Sequence, residues 1–140
     1  MRTEYKHNPP IPYSLHDMRV KKIIMQDQTI VLEFEDGYKK LTEPFEQVEG
    51  KITIEGVDFD FTSVMLQSKW RNYGKFNGEK LELEHFIKRY KNYSFEIVDE
   101  LYGYNQVLYS GYLSILETED LVQMDISIYF TGRIIYDTKE

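Results

Sequence analysis

Cysteine and alanine are both absent from the 140-residue chain, and proline (4) and tryptophan (1) are scarce. Without cysteine there are no disulfides, thiolate-bound metals or thiol nucleophiles, and the composition fits a cytoplasmic protein. Without alanine the chain lacks the strongest helix former. No apolar run approaches the ~20 residues that a bilayer-crossing helix needs. The opening stretch MRTEYKHNPP carries no apolar segment of the secretory kind. Phosphate-loop patterns (GxxxxGK(S/T), GxGxxG), the GxSxG elbow and HExxH are missing too, so no cofactor or metal is expected. No internal repeat or low-complexity linker divides the chain.

Aromatic residues are abundant, at 15%, with 12 Tyr and 8 Phe. Rings and β-branched side chains suit a pleated, half-buried surface, so the composition leans toward strands. Apolar residues make up 41% and charged residues 29%. These values suit one globular domain over 1–140, long enough to bury roughly two-thirds of its unfolded surface. The 24 acids against 17 bases leave a net charge of −7.

Residues 1–17 contain Asn8-Pro9-Pro10-Ile11-Pro12 and read as an extended Pro-rich arm, since proline blocks both helix and ladder. Val20–Gln26 and Thr29–Glu35 read as a hairpin around Asp27-Gln28. This loop sets Met25 opposite Ile30, Ile23 opposite Leu32 and Lys22 opposite Glu33, which gathers Ile23, Met25, Ile30, Leu32 and Phe34 on one face. Asp36-Gly37 signals a turn into a short strand at Tyr38–Leu41. Lys51–Glu55 and Asp58–Phe61 alternate like strands, whereas Val64–Tyr73 has no clean period. Leu83, Phe86, Ile87 and Tyr90 share a helical face, which predicts a helix over 83–92 with Leu81 stapled to Phe86 across a cap at Glu82. Acids at its start and bases at its end suit the helix dipole.

The last third alternates most strictly. Val122, Met124, Ile126, Ile128 and Phe130 face one way, and Gln123, Asp125, Ser127 and Tyr129 the other. A four-residue loop, Glu117–Asp120, pairs Leu116 with Leu121, and so Leu113 with Met124, Gly111 with Ile126 and Tyr109 with Ile128. For Ser94–Tyr102, an odd-length loop Gly103–Asn105 sets Phe95 opposite Leu113 and Ile97 opposite Gly111; an even loop would turn Glu96 into the core. The expected fold is mainly β: an antiparallel two-sheet sandwich with one amphipathic helix, or else a single curved sheet packed on that helix.

Parity also defines the outer face. It carries Glu96, Val98, Glu100, Leu108, Ser110, Tyr112, Ser114, Gln123, Asp125, Ser127 and Tyr129, with Tyr112 between Glu96 and Asp125 and Ser110 opposite Ser127. Glu96, Ser110, Tyr112, Asp125 and Tyr129 are the candidate binding residues. Such a band suits a basic protein partner, or a sugar or other small ligand held in a concave pocket with Tyr112 and Asp125. Paired carboxylates there could instead host acid–base chemistry. The plain alternative is a solvated outer sheet face.

His16-Asp17 could form a dyad, whereas His7 and His85 stand apart from any metal-ligand spacing. Residues 69–91 hold seven bases and three acids, with Trp70, Tyr73, Phe76 and Tyr90 interleaved. Residues 33–60 (nine acids, three bases) and 92–140 (nine acids, two bases) oppose phosphate steering, so nucleic acid is not an expected partner.

Ser14-Leu15-His16-Asp17, then Val20, Ile23, Ile24 and Ile30-Val31-Leu32-Glu33-Phe34, resembles the opening of small uncharacterised bacterial β-sandwich proteins, some grouped with toxin-immunity proteins. The resemblance spans about 20 of 140 residues and transfers no functional residue. It implies a compact bacterial β domain and an immunity-like, non-enzymatic binding role.

Overall fold

The computed structural model describes residues 1–6, 10–69 and 76–139. Its described strands are β1 (Tyr13–Ser14), β2 (Met18–Gln26), β3 (Thr29–Phe34), β4 (Tyr38–Lys40), β5 (Gln47–Val48), β6 (Gly50–Glu55), β7 (Ser63–Lys69), β8 (Glu79–Leu81), β9 (Tyr93–Gly103), β10 (Gln106–Ile115), β11 (Asp120–Tyr129) and β12 (Ile134–Thr138). One α-helix, α1 (Leu83–Arg89), and one 3-10 turn (Phe59–Phe61) complete the set. The fold is mainly β with two antiparallel sheets and one helix, as the alternation predicts. The division is unequal: nine strands lie in the order β12-β6-β3-β2-β9-β10-β11-β7-β8, and three in the order β1-β4-β5.

The long sheet is curled, with β12 and β8 as its two edges. Tyr136 of β12 reaches Tyr102 of β9, four strands along the order, so the β12 edge curls back toward the middle of the sheet. Val57, beyond β6, bridges to Phe130 beyond β11, and the Asp58 amide donates to the Tyr129 carbonyl at 2.9 Å. One contiguous apolar cluster fills the space between, with Val20, Ile30, Ile52, Ile54, Ile97, Val107, Leu113 and Met124 fully shielded from solvent.

The β2–β3 hairpin has the expected register: Met25 opposite Ile30, Ile23 opposite Leu32 and Lys22 opposite Glu33. The Asp36-Gly37 turn also forms, with Gly37 at φ 74°. A Cβ at Gly37 would lie 1.7 Å from the Val48 carbonyl oxygen, so only glycine fits there. Tyr38–Lys40 leaves the long sheet and pairs with β1 and β5. Thus the last residues of the Pro-rich arm are docked: β1 pairs with β4, and Leu15 is fully buried.

Several expectations are corrected. Asp58–Phe61 is not a strand; the Asp58 carboxylate accepts the Asp60 amide at 3.0 Å and winds Phe59–Phe61 into a 3-10 turn. The ambiguous stretch forms a strand over Ser63–Lys69, and Trp70 and Tyr73 lie outside the described residues, as does His7. Helix α1 ends at Arg89, with Tyr90 extended, because the chain must turn to place Tyr93 against Phe86 (ring centroids 5.4 Å). Glu82 caps the helix by position only, with no side-chain hydrogen bond, while Leu81 and Phe86 are both buried as a staple requires.

Candidate functional site

The outer face of β9, β10 and β11 is set by register and by one irregularity. The loop between β10 and β11 is four residues long, as expected, but spans Leu116–Glu119, so Ile115 pairs with Asp120. This shifts the pairing by two residues: Leu113 faces Val122, Gly111 faces Met124 and Tyr109 faces Ile126. A shift of two keeps every side chain on its assigned face. It changes the neighbours, however. Tyr112 lies between Glu96 and Gln123, not beside Asp125, and Ser110 faces Asp125, not Ser127.

Between β9 and β10 the pairs Phe95–Leu113 and Ile97–Gly111 are those expected, but the cause differs. The turn has two residues, Tyr104-Asn105, with Asn105 at φ 54°. The odd residue lies within the strand: Ser110 pairs with Asp99 and Gly111 with Ile97, leaving Val98 as a bulge. Gly111 permits it, because a Cβ there would sit 1.8 Å from the Glu96 carbonyl oxygen. Beyond the bulge parity reverses. Glu100, expected on the outer face, pairs with the buried Tyr109 and turns inward, while Asp99 and Leu101 turn outward.

The face is therefore built of four rows across the strands. Arg19, Glu96, Tyr112 and Gln123 form the first, with the Arg19 guanidinium donating to the Glu96 carboxylate at 2.7 Å. Asp99, Ser110, Asp125, Met65 and Lys80 form the second. Here Ser110 Oγ donates to Asp125 Oδ1 at 2.6 Å, and Gln67 Nε2 reaches Asp125 Oδ2 at 3.4 Å. Leu101, Leu108, Ser127 and Ser63 form the third. Gln106 and Tyr129 form the fourth, and Phe61 extends it with its ring centroid 5.9 Å from that of Tyr129. Of the five candidates, Glu96, Ser110, Tyr112 and Asp125 form one patch, and Tyr129 sits at its far end.

Parity alone missed the apolar part of this face. Leu101 is 58% exposed, Phe61 71% and Tyr104, at the β9–β10 turn, 93%. The signal for Leu101 was the glycine opposite Ile97, which allows a bulge; Phe61 carried none, because its placement depends on the 3-10 turn.

Among the described residues, open grooves of about 440 to 690 Å³ include four on the surface. The largest of these four runs between the 3-10 turn and the start of α1, past Phe61, Asp60, Lys80 and Glu82. Tyr129 lines one of the four; Glu96, Ser110, Tyr112 and Asp125 line none of them. The concave pocket around Tyr112 and Asp125 that a small ligand would require is not among these four, and that patch belongs to the strands' open face.

The inward side of the bulge holds a second polar group. The Glu100 carboxylate accepts the Leu15 amide at 2.9 Å and the Tyr102 hydroxyl at 2.8 Å. Burial pushes its pKa up, against the lowering effect of those hydrogen bonds. Tyr109 and Tyr136 lie close by, and burial raises the pKa of Tyr102, Tyr109 and Tyr136 as well. His16 and Asp17 approach as a dyad would: Nε2 lies 3.4 Å from the Asp17 carboxylate. Asp17 reaches this position at φ 64°. Among the described residues no three His, Asp or Glu side chains gather as a metal-holding group, and no helix is long and apolar enough to cross a membrane. No protein-family model, curated protein or solved structure matches the chain.

Proposed function

We propose that the chain is a non-enzymatic protein-interaction module of the immunity type, working in the cytoplasm, whose outer β9–β11 face docks a basic protein. The observation that carries this reading is the make-up of that open face. Exposed Leu101, Tyr104 and Phe61 sit beside Asp99, Asp125 and Glu96 on regular, mutually paired strands. Large apolar side chains ringed by polar groups are the anatomy of a protein interface. Rigid strands hold them with little entropy left to lose on binding. The net charge of −7 favours a basic partner and speeds encounter with it. A sugar or other small ligand is the weaker alternative, because concavity around Tyr112 and Asp125 would be needed to enclose it.

Basic proteins encoded beside the chain's own gene are the natural candidates for co-purification and calorimetry. With a partner in hand, Tyr112→Ala combined with Asp125→Ala is expected to weaken binding about tenfold or more. The wild-type affinity is expected to fall as salt rises from about 50 to 300 mM. Unchanged affinity in the double variant would mean that the face is wrongly assigned.

A further inference from the structure

We infer that β12 is a docking edge for a second copy of this chain, joining two long sheets through an antiparallel β12–β12 pair with its two-fold axis at Ile135. The two edges of the long sheet are guarded differently. β8 is only three residues long and carries Glu79 and Lys80, and short, charged edge strands resist further pairing. β12 runs Ile134-Ile135-Tyr136-Asp137-Thr138, holds neither proline nor lysine, and pairs with β6 without a bulge. It therefore lacks the usual devices that keep an edge single. The Glu55 amide donates to the Arg133 carbonyl, and the Lys139 amide to the Glu49 carbonyl, both at 2.9 Å. Positions 133, 135, 137 and 139 thus face β6. Alternation then points the amides and carbonyls of Ile134, Tyr136 and Thr138 away from it. Among the described residues no strand pairs with that side, and no residue of β12 is buried.

Charge selects the occupant and the register. Ile134 and Tyr136 stand opposite the fully buried Ile54 and Ile52 and face the core, so Arg133, Ile135 and Asp137 lie on the outer face. On that face Lys22, Glu33, Lys51 and Asp137 follow one another across β2, β3, β6 and β12, alternating in sign. The next row, Ile24, Val31, Thr53 and Ile135, is mostly apolar. In the third row Glu55 meets Arg133 in an exposed ion pair at 3.5 Å. An axis at Ile135 sets that residue against its own copy, and Arg133 against Asp137 of the second copy on either side. The charged row then continues through Asp137 to Arg133 and Glu55 of the second copy with its signs still alternating, and the apolar row continues through Ile135. Opposite charges and apolar pairs directly across a ladder stabilise it. The same register places Ile134 against Tyr136 of the second copy, whose outward amides and carbonyls can exchange ladder hydrogen bonds. The neighbouring registers fail on charge. An axis at Tyr136 sets Arg133 against Lys139, and an axis at Asp137 sets that carboxylate against its own copy.

Sedimentation velocity of the full chain from about 1 to 500 µM tests the pairing, because a single edge is a small interface and small interfaces associate weakly. The expected result is a concentration-dependent shift from 16.8 kDa to twice that mass. Asp137→Arg alone and Arg133→Asp alone each put like charges on both sides of the axis and should weaken association by about tenfold or more. An equimolar mixture of these two variants restores opposite charges and should dimerise like the wild type. The register is read separately. Ile135→Cys introduces the sole thiol of the chain, and across such an axis its Cα lies about 4.5 Å from that of its copy, within disulfide reach. Mild oxidation should crosslink it, whereas Thr53→Cys, one strand inward on the same face, should stay uncrosslinked. A chain that is monomeric throughout the range would overturn the proposal, even if its edge captured a strand from another protein. So would assembly beyond the dimer, dimers indifferent to both charge reversals, or an Ile135→Cys chain that forms no disulfide where the wild type dimerises.

Discussion

Tyr109 shows how far local chemistry depends on a neighbour's parity. Its side chain is fully buried, and its hydroxyl finds no hydrogen-bond partner among the described residues. Tyr136 and the inward-turned Glu100 act on the hydroxyl electrostatically, and the Tyr102 hydroxyl lies near enough to lower its pKa against burial. A buried hydroxyl without a partner bears its desolvation cost without recompense. Tyr109→Phe is therefore expected to leave stability unchanged or to raise it by about 1 kcal/mol in urea unfolding. A loss of more than about 1 kcal/mol would show that the hydroxyl is bonded in solution. Ser110, one residue on, contrasts with it: it sits on the outer side and donates to Asp125 at 2.6 Å.

At the scale of the element, the bulge in β9 governs what the face contains. Its cause is steric and lies on the facing strand. A Cβ at position 111 would come within 1.8 Å of the Glu96 carbonyl oxygen and 3.0 Å of the Val98 nitrogen, and both are backbone atoms that cannot swing aside. Gly111→Ala is expected to cost about 3 kcal/mol in chemical denaturation, at the upper end for an overpacked site. An alanine variant as stable as the wild type would argue against the bulge. The same element explains what the sequence could reveal. The β2–β3 register was legible because a two-residue loop and one apolar face admit a single solution. The inward set of β10 and β11 was legible for the same reason, even though the pairing slid by two. A bulge leaves no mark in the alternation Phe95, Ile97 on one side and Glu96, Val98 on the other, because it begins where that alternation stops. Glu100 was thus assigned to the wrong face, and Leu101 was overlooked. β12 escaped notice because Ile134, Ile135 and Tyr136 are apolar in succession and all half-buried.

At the scale of the molecule, a mainly β fold with one helix was readable from composition and periodicity. The sharing of nine strands in one curled sheet was not. That arrangement rests on contacts far apart in sequence: β12 beside β6, β2 beside β9, and Val57 against Phe130. The face of β9–β11 that carries Glu96, Tyr112 and Asp125 is left toward solvent, and the opposite face, with Ile97, Leu113 and Met124, is directed at the core. The buried Leu15 is anchored through its amide to the inward-turned Glu100, and the open face presents Asp99 and Leu101, so the bulge supplies both features.

The chain's lack of cysteine allows a direct measurement of that division. Single cysteines at Asp99, Glu100 and Leu101 can be labelled with a maleimide in the folded protein, each rate being compared with that of the same variant unfolded in urea. The expected result is fast modification at positions 99 and 101 and slow modification at 100. Fast modification at 100 with protection at 99 and 101 would describe a strand without a bulge, and would contradict both the composition of the open face and the inward contact of Glu100 with the Leu15 amide.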